Sequence, residues 1–490
     1  MFQPSQYQTD IFNFVASGAG DAVVDAVPGS GKTTTCVETS KRLDSRNALF
    51  CAFNKHIAIE LKTRLQGMRA QTIHSLGLSS ISRLGRPEVD DKKYNKLIRQ
   101  YVIDQNVSEM EAIRNASNRI RGLLRLTQLT LTNPEDEAAL KALADRFDLD
   151  RKDWEFTWKA IAPILQDGTD LVRQVIDYND MVWLPHALGL EPRKADWVFV
   201  DEAQDLNQAQ LELVLKARAR GGRMLFVGDK RQAIYGFTGA DTQSIANITD
   251  RTQATVLPLS ICYRCPTSHI ELANAVYPGI EPRPGAPLGI VREIDDIDIV
   301  NNVGDGDLIL CRTNAPLVAV CFELIRAGIP ARIRGTDIGK NLITILQQVE
   351  EAPGFQFSRL STYLHKYLDE QRQLRQGQDR DEIEMVMTNF KDRVDTILAI
   401  QAATVPRNMA ELVRAINDLF SDKRAKVWLS SIHKAKGLEA RRVVLLHPHL
   451  LPHPNAKKPW EKAQEMNLKY VVLTRATECL TFAYGDEDKA

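Results

Sequence analysis

Two apolar segments of the chain are each followed by polar side chains suited to phosphate chemistry. Residues 197–200 (Trp-Val-Phe-Val) precede the adjacent acids Asp201 and Glu202. Residues 224–227 (Met-Leu-Phe-Val) precede a Gly-Asp pair and then Gln232. Because ligands of an open parallel sheet bind beyond the carboxyl ends of its strands, these side chains are predicted to share one crevice. Such a crevice is typical of a nucleotide-hydrolysing site.

A glycine-rich loop upstream has the composition of a phosphate-binding loop. It follows the strand-like run 22–26 and opens a helical pattern at Lys32. Glycines let backbone N–H groups approach phosphates, and the start of a helix adds partial positive charge. Lys32 is predicted to reach the β- and γ-phosphates, and the Thr33 hydroxyl to bind Mg²⁺. The predicted nucleotide contacts in this loop are Pro28, Gly29, Ser30, Gly31, Lys32, Thr33 and Thr34.

The two adjacent acids complete this predicted site. Asp201 at a strand end is expected to hold Mg²⁺ through water, and Glu202 to orient and deprotonate the attacking water. Adjacent acids alone are common and usually structural, but here a strand precedes them and a phosphate loop lies upstream. Together Lys32, Thr33, Asp201 and Glu202 predict nucleotide turnover rather than nucleotide binding alone.

The composition is that of an ordinary globular protein and indicates no particular partner. Hydrophobic residues make up 44% and charged residues 26%, and 63 basic residues balance 63 acidic ones. A neutral total still permits nucleic acid, since binding needs only a local basic or stacking groove. A chain of 490 residues is expected to form two to four domains.

Dispersed cysteines and the lack of a targeting signal predict a cytoplasmic protein. The seven cysteines are dispersed, which favours reduced thiols. Cys262 and Cys265 are the one close pair, and they lack the second ligand pair that a zinc site needs. The N-terminus has no signal-peptide pattern, and there is no run of about 18 apolar residues that would predict a membrane helix.

Strand-like and helix-like segments alternate in two parts of the chain, which predicts an α/β fold with two parallel sheets. Between these parts the pattern turns helical and densely charged. The predicted parts are a first α/β domain at 1–77 and 179–255, its helical insert at 78–178, a second α/β domain at 256–339 and 423–490, and its small helical insert at 340–422.

The motifs of the chain occur in the order typical of one enzyme family. They are 4–8 (PSQYQ), the phosphate loop, 72–75 (TIHS), 201–205 (DEAQD), 228–240 (GDKRQAIYGFTGA), 263–264 (YR), 431–439 (SIHKAKGLE) and 470–476 (YVVLTRA). In this order they resemble the UvrD/Rep family of superfamily 1 DNA helicases over nearly the whole chain. The resemblance implies two tandem RecA-like domains, each with a helical insertion, and ATP in the cleft between them.

The resemblance also implies further nucleotide-site residues. Gln8 would read the adenine edge, Tyr263 would stack on the adenine, and Glu439 would contact the ribose. Arg264 and Arg475 would act as arginine fingers. A bidentate cation is a good match for charge that builds on the transferred phosphoryl group.

Aromatic residues follow Gln232 closely, and this spacing suggests a link between ATP and DNA. The resemblance makes Gln232 the sensor of the γ-phosphate, while Tyr235 and Phe237 would stack on bases regardless of their sequence. The resemblance implies that other positions line the single strand: Phe53, Asn54, His74 and His433.

These observations predict an ATP-dependent, Mg²⁺-requiring 3′→5′ DNA helicase that translocates on single-stranded DNA in replication or repair. Its expected partners are single-stranded DNA, single-strand/duplex junctions and accessory replication or repair proteins, and it is expected to be a monomer. One alternative is an ATPase that displaces proteins from nucleic acid with little unwinding, which the small insert at 340–422 favours. Further alternatives are a nucleotide-gated clamp that does not cycle and, least supported, a small-molecule kinase.

Overall fold

The computed structural model describes residues 3–43, 47–52, 55–65, 68–147, 149–234, 244–373, 380–421 and 425–485. The chain divides into two compact units. The first comprises Met1–Val27 and Gly31–Ser260, and the second comprises Pro28–Ser30 and Ile261–Ala490.

Six strands of the first unit form one sheet in the order β3-β2-β6-β7-β1-β8, and every pairing within it is parallel. Two further short strands, β4 and β5, pair in parallel outside this sheet. The strands are β1 (Ala22–Ala26), β2 (Ala48–Ala52), β3 (Arg69–Thr72), β4 (Glu88–Val89), β5 (Val175–Ile176), β6 (Ala195–Val200), β7 (Arg218–Gly228) and β8 (Thr255–Leu259).

Helices cover both faces of this sheet, so its central strands are apolar on both sides. In β6, Val198 and Val200 enter the core on one face, while Trp197 and Phe199 enter the core on the other. The helices are α1 (Gln6–Ser17), α2 (Lys32–Ser40), α3 (Lys55–Arg64), α4 (Ile73–Ile81), α5 (Lys93–Asp104), α6 (Met110–Thr130), α7 (Glu137–Arg146), α8 (Trp154–Lys159), α9 (Ile161–Asp170), α10 (Tyr178–Ala187), α11 (Gln208–Lys216) and α12 (Ser244–Thr252).

The second unit has its own six-stranded sheet, in the order β11-β16-β15-β12-β14-β13 and again with parallel pairings. Strands β9 and β10 form a separate parallel pair. The strands are β9 (Ile261–Cys262), β10 (Glu281–Pro282), β11 (Ile290–Asp295), β12 (Leu308–Cys311), β13 (Ala331–Ile333), β14 (Val427–Ser431), β15 (Ala440–Leu446) and β16 (Ala476–Tyr484).

Four helices lie between β13 and β14 along the chain, and their apolar faces share one core with the second sheet. The helices of this unit are α13 (Thr267–Val276), α14 (Ile299–Asn302), α15 (Ala315–Arg326), α16 (Thr336–Glu350), α17 (Leu360–Gln373), α18 (Arg380–Thr404), α19 (Met409–Leu419) and α20 (Pro459–Leu473). Two parallel sheets with interleaved helices confirm the predicted α/β class with two RecA-like domains.

One sequence-based expectation is wrong in detail. The apolar run at 256–257 was assigned to the second α/β domain, but it lies in β8, which pairs with β1 in the first sheet. An apolar run identifies a strand but not the sheet that contains it. Because β8 is an edge strand, it also tolerates Pro258, which cannot donate a backbone hydrogen bond. The segment 78–178 contains helices α5 to α9, and the two-residue strands β4 and β5 also lie within it.

Among the described helices, none combines the length and the apolar character that a bilayer-spanning segment requires.

Candidate nucleotide and nucleic-acid site

The glycine-rich loop joins β1 to α2, as the sequence predicted. Gly29 and Gly31 have φ angles of 67° and 79°, in the left-handed region that glycine adopts without a steric penalty. Gly31 is the N-cap of α2, and its carbonyl accepts the first helical hydrogen bond from Thr35 N at 2.8 Å. The N–H groups of a first helical turn have no partner within the helix, so this end of α2 suits an anion.

Other side chains of the loop are arranged around the same turn. Lys32, Thr33 and Thr34 occupy the first turn of α2 and are partly exposed. The Ser30 hydroxyl is fully buried and has no hydrogen-bond partner in the part of the chain that the structure describes. A buried polar atom without a partner is costly unless a ligand satisfies it. This hydroxyl is therefore suited to a phosphate oxygen.

Gln8 joins the start of α1 to α2. Its side-chain oxygen accepts from Ser5 N at 3.0 Å, which closes a capping box, and its amide donates to Thr35 Oγ1 at 3.0 Å. The side chain is 2% exposed. Gln8 is thus held rigidly beside the phosphate loop, where an amide edge could recognise a base.

The adjacent acids follow the end of β6. The Asp201 backbone N–H donates to Cys51 O at 3.0 Å, and the Glu202 N–H donates to Asp201 Oδ1 at 3.0 Å. Burial and the neighbouring Glu202 raise the pKa of Asp201 to about 7, while Lys32 opposes this shift. The end of β6 is therefore short of positive charge, which a bound cation would supply.

The end of β7 brings a second polar group to the same edge of the sheet. Asp229 is 1% exposed and accepts from Arg231 N at 3.0 Å and from Gln232 Nε2 at 2.7 Å. Burial raises the pKa of Asp229, and Lys32 again opposes the shift. Since Lys32 acts on both Asp201 and Asp229, these charges gather at one place in the first unit, together with Gln232.

Gln204 connects these two strand ends and was not singled out by the sequence. It is 1% exposed, its side-chain oxygen accepts from Asp229 N at 3.0 Å, and its amide donates to the Glu202 carboxylate. The signal that could have revealed it is Gly228, since a Cβ there would collide with the Gln204 side-chain oxygen.

His74 lies on α4, whose N-cap Thr72 accepts from Ser75 N at 3.2 Å. Burial lowers the pKa of His74, so its ring is neutral near pH 7. The ring meets the edge of Tyr178 with centroids 6.3 Å apart, and Tyr178 is 55% exposed. A neutral imidazole beside an exposed phenol suits bases better than phosphates. Tyr178 is a second residue that the sequence analysis did not propose.

In the second unit, Arg264 and Glu439 bind each other. Arg264 Nε donates to Glu439 Oε2 at 2.6 Å, and its Nη1 donates to Thr474 O at 3.3 Å. Tyr263, next to Arg264, is 40% exposed, as a ring available for stacking would be. The structure therefore brings the predicted arginine finger and the predicted ribose contact together as an ion pair.

Arg475 is 1% exposed and is held by backbone carbonyls of its own unit. Its Nε donates to Val471 O at 2.9 Å and its Nη1 to Leu438 O at 3.1 Å. These bonds fix the guanidinium between the end of α20 and the segment that carries Glu439. Arg475 thus holds two backbone segments of its own unit together, which its predicted role as an arginine finger did not include.

His433 lies in the turn after β14 and is partly exposed. Burial, with Arg312 and Lys434 nearby, lowers the pKa of His433 to about 3. Arg312 itself is paired with the buried Glu465 through contacts of 2.7 and 3.0 Å. His433 is therefore neutral and is suited to a hydrogen bond or a stacking contact.

Four predicted DNA contacts lie outside the described residues: Phe53, Asn54, Tyr235 and Phe237. Within the described ranges, no group of three or more His, Cys, Asp or Glu side chains is arranged to hold a metal ion on its own. Mg²⁺ in nucleotide sites typically has one or two protein carboxylates, with phosphates and water completing its shell.

Comparisons with known proteins show which family the chain is similar to. The model of the UvrD/REP helicase N-terminal domain matches residues 7–253, half of the chain. DNA helicase II of Haemophilus influenzae is 23% identical over 385 residues, which cover 66% of this chain and 50% of the relative. ATP-dependent DNA helicase PcrA of Bacillus subtilis is 26% identical over 364 residues, covering 64% and 48%.

A third relative matches over a longer part of the chain. ATP-dependent DNA helicase UvrD2 of Mycobacterium bovis is 23% identical over 551 residues, covering 96% of this chain and 77% of the relative. The chain spans about half the length of the first two relatives. The match to the family model extends from Gln8 through Asp201 and Glu202 to Gln232, and it shows that the chain belongs to the UvrD/REP helicase family.

Proposed function

We propose that the chain is an ATP-dependent DNA helicase that translocates on single-stranded DNA with 3′→5′ polarity. The observation that carries this proposal is the meeting of Lys32, Asp201, Glu202 and Asp229 at one edge of the first sheet. The family and the names of the relatives, DNA helicase II and PcrA, support DNA as the polymer. The polarity is supported by the resemblance in motifs.

In this proposal, ATP binds with its phosphates on the glycine-rich loop. The backbone at Pro28, Gly29 and Gly31 and the Ser30 hydroxyl receive phosphate oxygens, and Lys32 neutralises charge on the β- and γ-phosphates. Thr34 stands one residue further into the helix. The buried Gln8 amide reads the adenine edge, and the exposed Tyr263 ring stacks on the base.

The donor set at the end of β6 fits Mg²⁺. Asp201 is a buried carboxylate whose pKa is raised to about 7 by burial and by Glu202, so a cation would relieve its environment. Asp201 and the Thr33 hydroxyl would hold the ion, which would neutralise charge on the phosphates.

Hydrolysis follows from the positions of the protein's own groups. Glu202 orients a water molecule and takes its proton as the water oxygen bonds to the γ-phosphorus. The bond between that phosphorus and the β,γ-bridging oxygen breaks, which releases ADP and inorganic phosphate. Lys32, Arg264 and Arg475 stabilise the charge of the transition state. For this role Arg264 must exchange Glu439 for phosphate, which leaves Glu439 available to the ribose.

Coupling to DNA is proposed to run through Gln232. This residue ends the short 3-10 turn Lys230–Gln232, and Tyr235 and Phe237 follow it closely in sequence. Those two rings would stack on bases, each worth about 1–3 kcal/mol. The neutral rings of His74 and His433 support contacts to bases at further points along the strand, where Phe53 and Asn54 are also proposed to lie.

We further propose a monomeric cytoplasmic enzyme that acts at single-strand/duplex junctions together with replication or repair proteins. Its helical inserts are proposed to be α5–α9 in the first domain and α16–α19 in the second.

The decisive experiment measures phosphate release by the purified chain with ATP and Mg²⁺, alone and with single-stranded DNA or RNA. We expect at least a tenfold stimulation by DNA, on the order of the 10-fold or greater effects that positioning of a catalytic group produces. Hydrolysis that is indifferent to both polymers would contradict the proposal. Duplexes with a single-stranded tail at either the 3′ or the 5′ end then test polarity, and unwinding from a 5′ tail alone would overturn 3′→5′ movement.

A further inference from the structure

Gln204 lies between the two polar strand ends of the first unit and contacts both. Its side-chain oxygen accepts from Asp229 N at 3.0 Å, and its side-chain nitrogen donates to Glu202 Oε2. We propose that Gln204 is a positioning residue, which aims the Glu202 carboxylate at the attacking water and ties it to the loop that carries Gln232. This inference rests on the proposed ATPase function.

The orientation of the Gln204 amide follows from its neighbours. A backbone N–H can only donate and a carboxylate can only accept, so the Gln204 oxygen must face Asp229 and its nitrogen must face Glu202. The side chain is 1% exposed, so water cannot readily replace either bond. Gln204 therefore holds the Glu202 oxygen that it contacts in one direction, as a group that receives a proton from water must be held.

Glu202 has an uncommon backbone conformation and a second carboxyl group directly beside it in the chain. Its φ angle is 52°, a left-handed conformation that residues other than glycine rarely adopt. The adjacent Asp201 carboxyl accepts from the Glu202 backbone N–H at 3.0 Å, so two carboxyl groups lie side by side and repel each other when both are ionised. A hydrogen bond from Gln204 opposes that repulsion and fixes the direction of the Glu202 side chain.

The hydrogen-bond network continues from Gln204 through Asp229 to Gln232, the residue proposed to couple ATP to DNA. Asp229, whose N–H is held by Gln204, accepts from Gln232 Nε2 at 2.7 Å through Oδ2. One buried amide thus connects the group that activates water with the group proposed to sense the γ-phosphate. A shift of the loop after β7 would be passed to Glu202 through two hydrogen bonds.

Gly228 makes this connection possible. A Cβ at this position would collide with the Gln204 side-chain oxygen and would lie 3.2 Å from the Gln204 backbone nitrogen. A side chain at residue 228 would therefore displace Gln204, and it would also approach Ile245 Cδ1 to 3.2 Å. Gly228→Ala gives an independent way to break the same contact.

The test compares Gln204→Glu and Gln204→Leu with the unaltered chain in DNA-stimulated phosphate release. Gln204→Glu keeps an acceptor for Asp229 N but replaces the donor with a carboxylate that repels Glu202. We expect kcat to fall about 100-fold, the lower end of what a general base contributes, with the KM for ATP within about threefold because no phosphate contact is lost. Gly228→Ala should lower kcat in the same way.

The pH dependence separates positioning from a general structural role. A protonated carboxyl at position 204 can donate to Glu202, so the activity of Gln204→Glu relative to the unaltered chain should recover as the pH falls from about 8 to about 6. Gln204→Leu has no such group, and its relative activity should stay low throughout. Binding of a fluorescent ADP analogue and the melting temperature show whether each variant remains folded.

Gln210→Glu is the matched control. Gln210 is a buried glutamine of the same unit, and its side-chain oxygen caps α11 by accepting from Asn207 N at 3.1 Å. A glutamate serves that capping role equally well, so activity should be unchanged.

Three results would overturn the inference. The first is a kcat within threefold of the unaltered chain in both Gln204 variants, which would leave the proposed function standing. The second is a loss that appears in KM rather than kcat. The third is an unaltered chain without phosphate release, which would remove the proposed function and this inference together.

Discussion

The carboxyl edge of the first sheet carries buried acids, whereas the second unit carries the predicted arginine fingers. The two sets differ in how their charges are balanced. In the first, Asp201 and Asp229 are buried carboxylates with raised pKa values, and Lys32 is the cation that offsets both. In the second, Arg264 is paired with Glu439, and Arg475 donates to backbone carbonyls. The acids of the first unit lack positive charge, while the arginines of the second unit have partners within their own unit.

This difference separates two ways of preparing a site for phosphate chemistry. The first unit has buried carboxyl groups that lack positive charge and a phosphate loop with unpaired donors. A bound cation would supply the charge, and a triphosphate would accept from the donors. In the proposed mechanism, Arg264 and Arg475 of the second unit must change partners before they can stabilise the transferred phosphoryl group. We therefore expect substitutions in the first unit to remove the reaction, and those in the second to change its rate and its affinity for nucleotide separately.

Lys32→Ala should have the largest effect. It removes the cation that offsets Asp201 and Asp229 and that is proposed to contact the phosphates, so hydrolysis should fall by about 1,000-fold. Phosphate release measures the loss, and fluorescence anisotropy with labelled single-stranded DNA should show binding unchanged. A Lys32→Ala variant with full activity would refute the assignment of the phosphate loop.

Arg264→Ala should follow, with a loss of about 1,000-fold in kcat, the lower range for an arginine finger. Its ion-pair partner Glu439 provides a second test. Glu439→Gln weakens the ion pair but leaves the arginine, so it should raise the KM for ATP several-fold and change kcat little. A Glu439→Gln variant with raised kcat and unchanged KM would mean that Glu439 restrains Arg264 and does not bind ribose.

Gln232→Ala should change coupling more than binding. It removes the hydrogen bond to Asp229 Oδ2 and with it the proposed link between the γ-phosphate and the predicted DNA contacts Tyr235 and Phe237. The ratio of phosphate release with and without single-stranded DNA should fall about tenfold, the effect of roughly one charge-assisted hydrogen bond. Binding of an ADP analogue should be unchanged, and a normal stimulation ratio would exclude this coupling.

The smallest expected effect concerns folding stability: Asp201→Asn should stabilise the nucleotide-free chain slightly, although it removes a proposed Mg²⁺ ligand. The pKa of Asp201 is about 7 in the folded chain and about 4 in an unfolded one. Between these values the folded state holds a proton that the unfolded state has lost, so stability falls as the pH rises from about 4 to about 7.

Asparagine cannot ionise, so this loss disappears in the variant. Without nucleotide or Mg²⁺, its melting temperature should exceed that of the unaltered chain by about 3 °C near pH 8 and by less near pH 5. Asp10→Asn, at an exposed position on α1, serves as the control and should not change this dependence. A gain that grows as the pH falls would contradict the charge argument.

The sequence predicted those parts of the fold that have a local signal. Strand β1 at Ala22–Ala26 and the start of α2 at Lys32 appear where the apolar run and the glycine loop predicted them. It did not predict that 256–257 belongs to the first sheet, because strand pairing is a long-range property. Nor did it reveal Gln204, because the importance of a buried amide depends on which loops fold around it.

The position of β8 has a practical consequence for dissecting the protein. A fragment ending at residue 255 would lack this strand and turn β1, which carries the phosphate loop, into the edge of the sheet. Unpaired N–H and C=O groups along a long apolar edge promote aggregation between copies. A fragment ending at Ser260, where the first unit ends, retains β8 and should be the smallest N-terminal piece that remains dispersed in solution.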